Sequence, residues 1–218
     1  MIRILLALSL FAITLPAQAV DLPPGFVQLA DVAPGIRLEM RYATANNFVG
    51  RPIDGYGRGD CWLRREAAEA LAEVADKAEG WRLVVYDCYR PTRAVADFVA
   101  WSKDATDQKM KAEYYPEIDK SLLFKAGFIA TRSEHSRGTT VDIGAETVDG
   151  RVLDLGTPFD SFFPESATAS TEISAEAQAN RKRLVELMAA AGFENYRKEW
   201  WHFTFGMERP KAYDVPIE

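Results

Sequence analysis

The chain has 218 residues, of which 48% are hydrophobic and 27% charged, a globular balance that excludes a disordered tail or a fibre. Its formal charge of −6 disfavours nucleic-acid binding, which needs clustered Lys and Arg against phosphate. Two histidines, His135 and His202, and two cysteines, Cys61 and Cys88, are all the chain holds, so a zinc site of four cysteines is excluded and a histidine site must use those two rings.

Residues 1–19 read as a secretory signal peptide: Arg3 supplies the positive start, Ile4 to Leu15 the apolar stretch, and Ala17-Gln18-Ala19 a small-x-small cleavage site. The mature chain is then a single domain over residues 20–218, exported to the periplasm or cell envelope. No later segment reaches the ~18 apolar residues of a membrane span. In an oxidising compartment an even pair of cysteines predicts a Cys61–Cys88 disulfide, worth roughly 3–4 kcal/mol for a loop of about 28 residues.

After a Pro-rich entry, the alternation over Ile36 to Tyr42 predicts a half-buried strand. Asn46 to Asp60 reads as a loop. Leu63 to Ala78 carries Ala67, Leu71, Val74 and Ala78 on one helical stripe, and Gly80 stops it. Trp81 to Tyr86 is a short apolar strand. Pro91 opens a helix to about Lys103, with Val95, Phe98 and Val99 inward. Residues 104–126 are irregular. Thr139 to Ile143 predicts a strand, with Asp149-Gly150 at a following hairpin turn. A polar loop over 159–173 leads to Ser174 as the N-cap of a helix ending near Ala191, with Leu184, Leu187 and Met188 inward. Trp200 to Phe205 is a last aromatic strand. This mixture, without steady βαβ alternation, predicts an α+β fold with a mainly antiparallel central sheet flanked by helices.

Reactive residue types concentrate in three runs: Ser133 to Asp142, Glu199 to Phe203, and Asp87 to Pro91. A catalytic zinc wants three N/O ligands and one open position, and His135, Asp142 and His202 would supply two imidazoles and a carboxylate. Glu199 remains to move a proton during amide hydrolysis. Residues three or seven apart on a flat strand point to opposite faces, so the proposal needs a turn or bulge at Gly138 and a bend between Glu199 and His202. Taken singly, a histidine beside a carboxylate, an arginine such as Arg90, or Trp200-Trp201 is more often structural than catalytic.

Together these runs resemble a family. Ser-x-His-Ser-Arg-Gly-x-x-x-Asp over 133–142, followed by Glu-Trp-Trp-His at 199–202, is similar to the zinc D-alanyl-D-alanine dipeptidases, the VanX-type branch of the D-Ala-D-Ala metallopeptidases. Arg41-Tyr42-Ala43-Thr44-Ala45-Asn46-Asn47-Phe48-Val49-Gly50, Tyr86-Asp87-Cys88-Tyr89-Arg90-Pro91, Tyr114-Tyr115-Pro116 and Gly156-Thr157-Pro158-Phe159-Asp160 resemble further blocks of that family, in the same order. The resemblance implies a Hedgehog/DD-peptidase-like fold and one zinc ion held by His135, Asp142 and His202. It implies Glu199 as catalytic base, Arg90 as the oxyanion's partner, and Tyr42, Ser133 and Asp160 as substrate-binding residues, Asp160 toward the free ammonium. The implied partner is a small D,D-dipeptide derived from peptidoglycan metabolism. The loop from Asp160 to Ser174 departs from the family in carrying no histidine. Two alternatives stay open: a zinc D,D-carboxypeptidase or endopeptidase acting on peptidoglycan stem peptides, and a non-catalytic wall-binding module on the same fold.

Overall fold

The structure is a computed structural model that describes residues 22–218; the signal peptide expected at 1–19 lies outside the described residues. In chain order the elements are β1 (Phe26–Gln28), α1 (Leu29–Val32), β2 (Arg37–Leu38), β3 (Trp62–Arg64), α2 (Arg65–Lys77), β4 (Trp81–Asp87), α3 (Thr92–Lys103), α4 (Lys111–Tyr114), α5 (Leu123–Ala126), β5 (Thr140–Thr147), α6 (Ala175–Ala190), β6 (Phe193–Asn195) and β7 (His202–Phe205). The main sheet has the order β2-β4-β5-β7-β6, and a small sheet pairs β1 with β3. All pairings are antiparallel except β2 with β4. The fold is thus α+β with a mainly antiparallel sheet, as the mixed pattern predicts.

The two central strands are buried on both faces. Leu83 to Asp87 of β4 and Thr140 to Glu146 of β5 are buried without a break, which is why their sequences do not alternate. The turn at Asp149-Gly150 folds the chain back so that Val152 bridges Glu146. Ser174 caps α6 by accepting from the Ala177 N–H at 2.9 Å, and Gly192 takes the left-handed conformation just past its end. Leu184 and Met188 are buried on α6, and Leu187 is half-buried. Among the described residues no helix is long and apolar enough to cross a membrane.

Four predicted boundaries shift. The strand expected over Thr139 to Ile143 runs on to Thr147, because it pairs with β4 along that length. The strand expected over Ile36 to Tyr42 is only the pair Arg37–Leu38; the chain then enters a 3-10 turn over Arg41–Ala43 that buries Tyr42. The alternation came instead from a charge cluster, in which Glu39 binds Arg37 at 2.6 Å and Arg41 at 2.7 Å. The helix expected from Leu63 starts at Arg65, because Trp62–Arg64 pairs with β1. The last strand starts at His202 and not Trp200, because residues 196–201 form a turn. The stretch 104–126, expected as irregular, contains the single-turn helices α4 and α5.

Cys61 and Cys88 form the expected disulfide, with Cα atoms 5.4 Å apart and a sequence separation of 27. It ties the start of β3 to the chain just past β4. The Tyr89 N–H donates to the Trp62 carbonyl at 3.0 Å beside it.

Candidate metal centre

Register builds most of the site. Asp142 on β5 is the Cα partner of Asp87 on β4 and of His202 on β7. Register partners project from the same face of a sheet. A register shift between Val85 and Asp87 brings Asp87 into this row.

His135 arrives from outside the sheet. It lies on a 3-10 turn over Glu134–Arg137, where the Ser133 hydroxyl accepts from the His135 N–H at 3.3 Å. Gly138 ends the turn at φ 74°, a conformation that strains any residue with a Cβ. A Cβ there would also strike the Phe26 ring. This is the re-aiming turn that the seven-residue spacing requires.

Three donor atoms converge. His135 Nε2 is 3.2 Å from Asp142 Oδ1, His202 Nδ1 is 3.1 Å from the same oxygen, and the two nitrogens are 3.3 Å apart. Asp142 Oδ1 is buried yet accepts no well-directed hydrogen bond. Ligand atoms about 2.0–2.1 Å from a tetrahedral zinc stand about 3.3 Å from one another. The observed triangle therefore fits an ion, and its orphaned oxygen is the kind of atom that an ion satisfies.

The surrounding groups orient this triangle. The Cys88 carbonyl lies 2.6 Å from His135 Nδ1, with Asp87 Oδ2 at 3.4 Å. With Nδ1–H donating to that carbonyl, Nε2 is left with its lone pair toward the centre. Asp142 is buried, which alone would raise its pKa. The flanking imidazoles more than offset that and hold the carboxylate ionised, well below the usual range.

Glu199 sits on the turn before β7, where its N–H donates to the Tyr196 carbonyl and its carbonyl accepts from the His202 N–H at 3.3 Å. The bend puts Glu199 Oε2 3.6 Å from His202 Nδ1. Burial pushes its carboxyl up to about 7, with the negative charge of Asp142 adding and His202 and Arg90 opposing. That is the range in which a carboxylate both takes and returns a proton near neutrality.

Arg90 Nε and Nη2 both donate to Asp87 Oδ2, at 3.0 and 2.8 Å. Its Nη2 is 3.6 Å from Asp142 Oδ2, and the guanidinium lies 5.0 Å from the Tyr42 ring centre and 5.2 Å from that of Phe98. The Tyr56 hydroxyl donates to the other oxygen of Asp87 at 2.6 Å. A cavity of about 290 Å³ opens onto Asp142, His202, Glu199 and Arg90. Tyr42 and Ser133 line it as well, while Asp160 is not among its walls. Asp160 is buried behind Tyr42, whose hydroxyl donates to Asp160 Oδ2 at 2.7 Å. Burial, with Asp142 adding, raises the Asp160 carboxyl well above the usual range. The residues named from sequence thus gather at one place, with Asp160 one layer back.

Sequence reasoning assigned no role to Asp87, Tyr56 or the Cys88 carbonyl. Asp87 had a signal, since it stands in the same short run as Arg90. Tyr56 lies in a loop with no local pattern, and a backbone carbonyl leaves no mark in sequence.

An α+β fold with a buried His-Asp-His triangle, a carboxyl held near neutrality and an adjoining cleft has the parts of a mononuclear metallopeptidase. Residues 23–217 match the model of peptidase family M15, described as D-ala-D-ala dipeptidase, and the chain belongs to that family. It is 36% identical over 199 residues to a D-alanyl-D-alanine dipeptidase of Enterococcus faecium, covering 89% of this chain and 98% of the relative. A Streptomyces coelicolor protein of the same description is 38% identical over 197 residues, covering 88% and 98%. One from Escherichia coli is 33% identical over 193 residues, covering 88% of each.

Proposed function

We propose that this chain is a zinc D-alanyl-D-alanine dipeptidase that hydrolyses the free D,D-dipeptide. The carrying observation is the triangle of His135 Nε2, Asp142 Oδ1 and His202 Nδ1, with sides of 3.1–3.3 Å and Glu199 beside it. The relatives' descriptions support the substrate. The cavity, about 290 Å³, lies just below the usual range for ligand pockets, ~300–1,000 Å³, which suits a dipeptide better than a peptidoglycan stem.

His135, Asp142 and His202 would hold one zinc ion per chain. Bound there, zinc supplies Lewis acidity, which acidifies a water and polarises a carbonyl. Glu199 takes the proton of the attacking water and delivers it to the leaving amine, so the carboxylate is regenerated. Arg90, fixed by Asp87 and unable to deprotonate, donates toward the oxygen that gains charge as the carbonyl becomes tetrahedral. Tyr42 and Ser133 present hydroxyls to the substrate's polar ends. Asp160 aligns the Tyr42 hydroxyl, and through it the ammonium end.

The test is release of D-alanine from D-Ala-D-Ala by the zinc-loaded protein, with and without chelator, against N-acetyl-D-Ala-D-Ala. Turnover of the free dipeptide that chelation abolishes and zinc restores is expected, with one equivalent of metal per chain. Preference for the acetylated substrate assigns the site to carboxypeptidase chemistry. Inertness of the zinc-loaded protein toward both assigns the fold to a binding module. Export is part of this reading on the strength of residues 1–19 alone, and places the enzyme in recycling of wall-derived D-alanine. Fractionation of cells carrying the tagged full chain checks it: retention in the cytoplasm overturns it.

A further inference from the structure

The disulfide lies nearer the metal triangle than a general staple needs to. Cys61 and Cys88 are both buried, at 1% and 0% exposure. The Cys88 carbonyl is the 2.6 Å partner of His135 Nδ1. The residue before it, Asp87, holds Arg90, and the Arg90 N–H in turn donates to the His135 carbonyl at 3.3 Å. Residues 87–90 therefore contact the His135 turn on two sides. They belong to no helix or strand past Asp87. The bond from Cys88 to Cys61 and the Tyr89 N–H donating to the Trp62 carbonyl tie them to the small sheet of β1 and β3, and the Tyr89 hydroxyl exchanges hydrogen bonds with the Val215 backbone.

The His135 turn is anchored to that same small sheet. The Arg64 N–H donates to the Gly138 carbonyl at 2.7 Å, and Arg64 Nε donates to the Arg137 carbonyl. The disulfide thus closes a circuit: β3 holds the backbone of the turn, and through Cys61–Cys88 it also holds the carbonyl that orients the ring. Outer partners of metal-binding histidines set ring angle and tautomer, and their loss typically weakens metal binding ~10–100-fold.

We propose that the Cys61–Cys88 disulfide is a positioning device for the metal ligand His135, so that retention of the metal depends on that bond. The proposal rests on the metal-centre reading above. With the bond reduced, each sulfur gains one electron and one proton from a dithiol that becomes a disulfide itself. The Cys88 carbonyl then loses its one covalent tie to the small sheet and is left to the hydrogen bonds of Tyr89 and Arg90. A chain of this kind would hold its metal firmly only where its cysteines are oxidised.

The test compares zinc release to a chromophoric chelator at 25 °C from wild type, from Cys61→Ala/Cys88→Ala, and from Leu184→Ala. Leu184 is fully buried on α6 and makes no part of the site, so its truncation lowers Tm without touching residues 87–90. Release from the double-cysteine variant is expected to be roughly tenfold faster or more, while Leu184→Ala releases at the wild-type rate. Cobalt substituted for zinc should show an altered visible spectrum only in the cysteine variant. If the double variant does not fold, wild type folded first, reduced with dithiothreitol, freed of it and reloaded with zinc under anaerobic conditions replaces it. Equal release from the double variant and wild type, or equal acceleration in Leu184→Ala, overturns the proposal. Wild type that takes up no zinc sinks the metal-centre reading instead, so the two failures are distinguishable.

Discussion

Asp142 on β5 and His202 on β7 face each other as register partners, and His202 Nδ1 stands 3.1 Å from Asp142 Oδ1. The oxygen accepts no well-directed hydrogen bond, so its natural partner is a cation. Asp142→Ala should weaken zinc binding more than ~100-fold, beyond the loss typical of outer partners. Zinc should raise the Tm of wild type and leave that of the variant unmoved, since only a ligand that binds the folded state stabilises it. Calorimetry with and without zinc checks both.

Glu199→Gln keeps the shape of the side chain and removes its basicity. Metal content should stay at the wild-type value while kcat falls ~10²–10⁴-fold. Loss of metal in this variant would show that Glu199 is a ligand.

The same carboxyl carries a stability signature in metal-free protein. Its folded pKa, about 7, lies above the ordinary 4.5, so the fold favours the protonated form. Its contribution is therefore most favourable below pH ~4.5, declines as pH rises to about 7, and is flat above. The change is on the order of 3 kcal/mol at 1.36 kcal/mol per pH unit. Metal-free wild type should lose stability relative to Glu199→Gln across that window, as read by urea unfolding at a series of pH values. Parallel curves would mean that the carboxyl is not held near neutrality.

Arg90→Lys keeps a positive charge and loses the planar pair of donors on Asp87 Oδ2. Turnover should fall about 10²-fold with a smaller change in KM, the mark of an interaction made chiefly in the transition state. Arg90→Ala should also destabilise the fold by about 3–5 kcal/mol, because Asp87 is left buried with a charge that Tyr56 alone does not neutralise.

Gly138→Ala tests the turn that delivers His135. The residue has φ 74°, and a Cβ would strike the Phe26 ring. The variant should lower Tm and weaken zinc binding together, because any shift of the turn moves the ring. A variant stable and fully metallated would show that the turn relaxes without moving His135.

Much of this was legible along the chain because its causes are local. Ser174 capping α6, the stripe on α2 and the turn at Asp149-Gly150 each follow from a few neighbouring residues. The need for a bend at Gly138 followed from the two-residue period of a strand, and the 3-10 turn meets it. The strand expected over Ile36 to Tyr42 failed because charges that pair with one another mimic that same period. The single turns α4 and α5 are too short to leave a periodic trace.

The sequence by itself determined the inventory: two imidazoles and no more, one aspartate and one glutamate at fixed distances from them, and a pair of cysteines. Those counts limit which ions and which chemistry are available, because donor types are covalent facts. Only the tertiary structure decided that rings 67 residues apart meet at 3.3 Å. It also decided that Asp87 braces Arg90, and that a cysteine carbonyl aims a histidine. Strand register and loop anchoring set these relations, and both are summed over contacts distant in sequence, so no local window of the chain contains them.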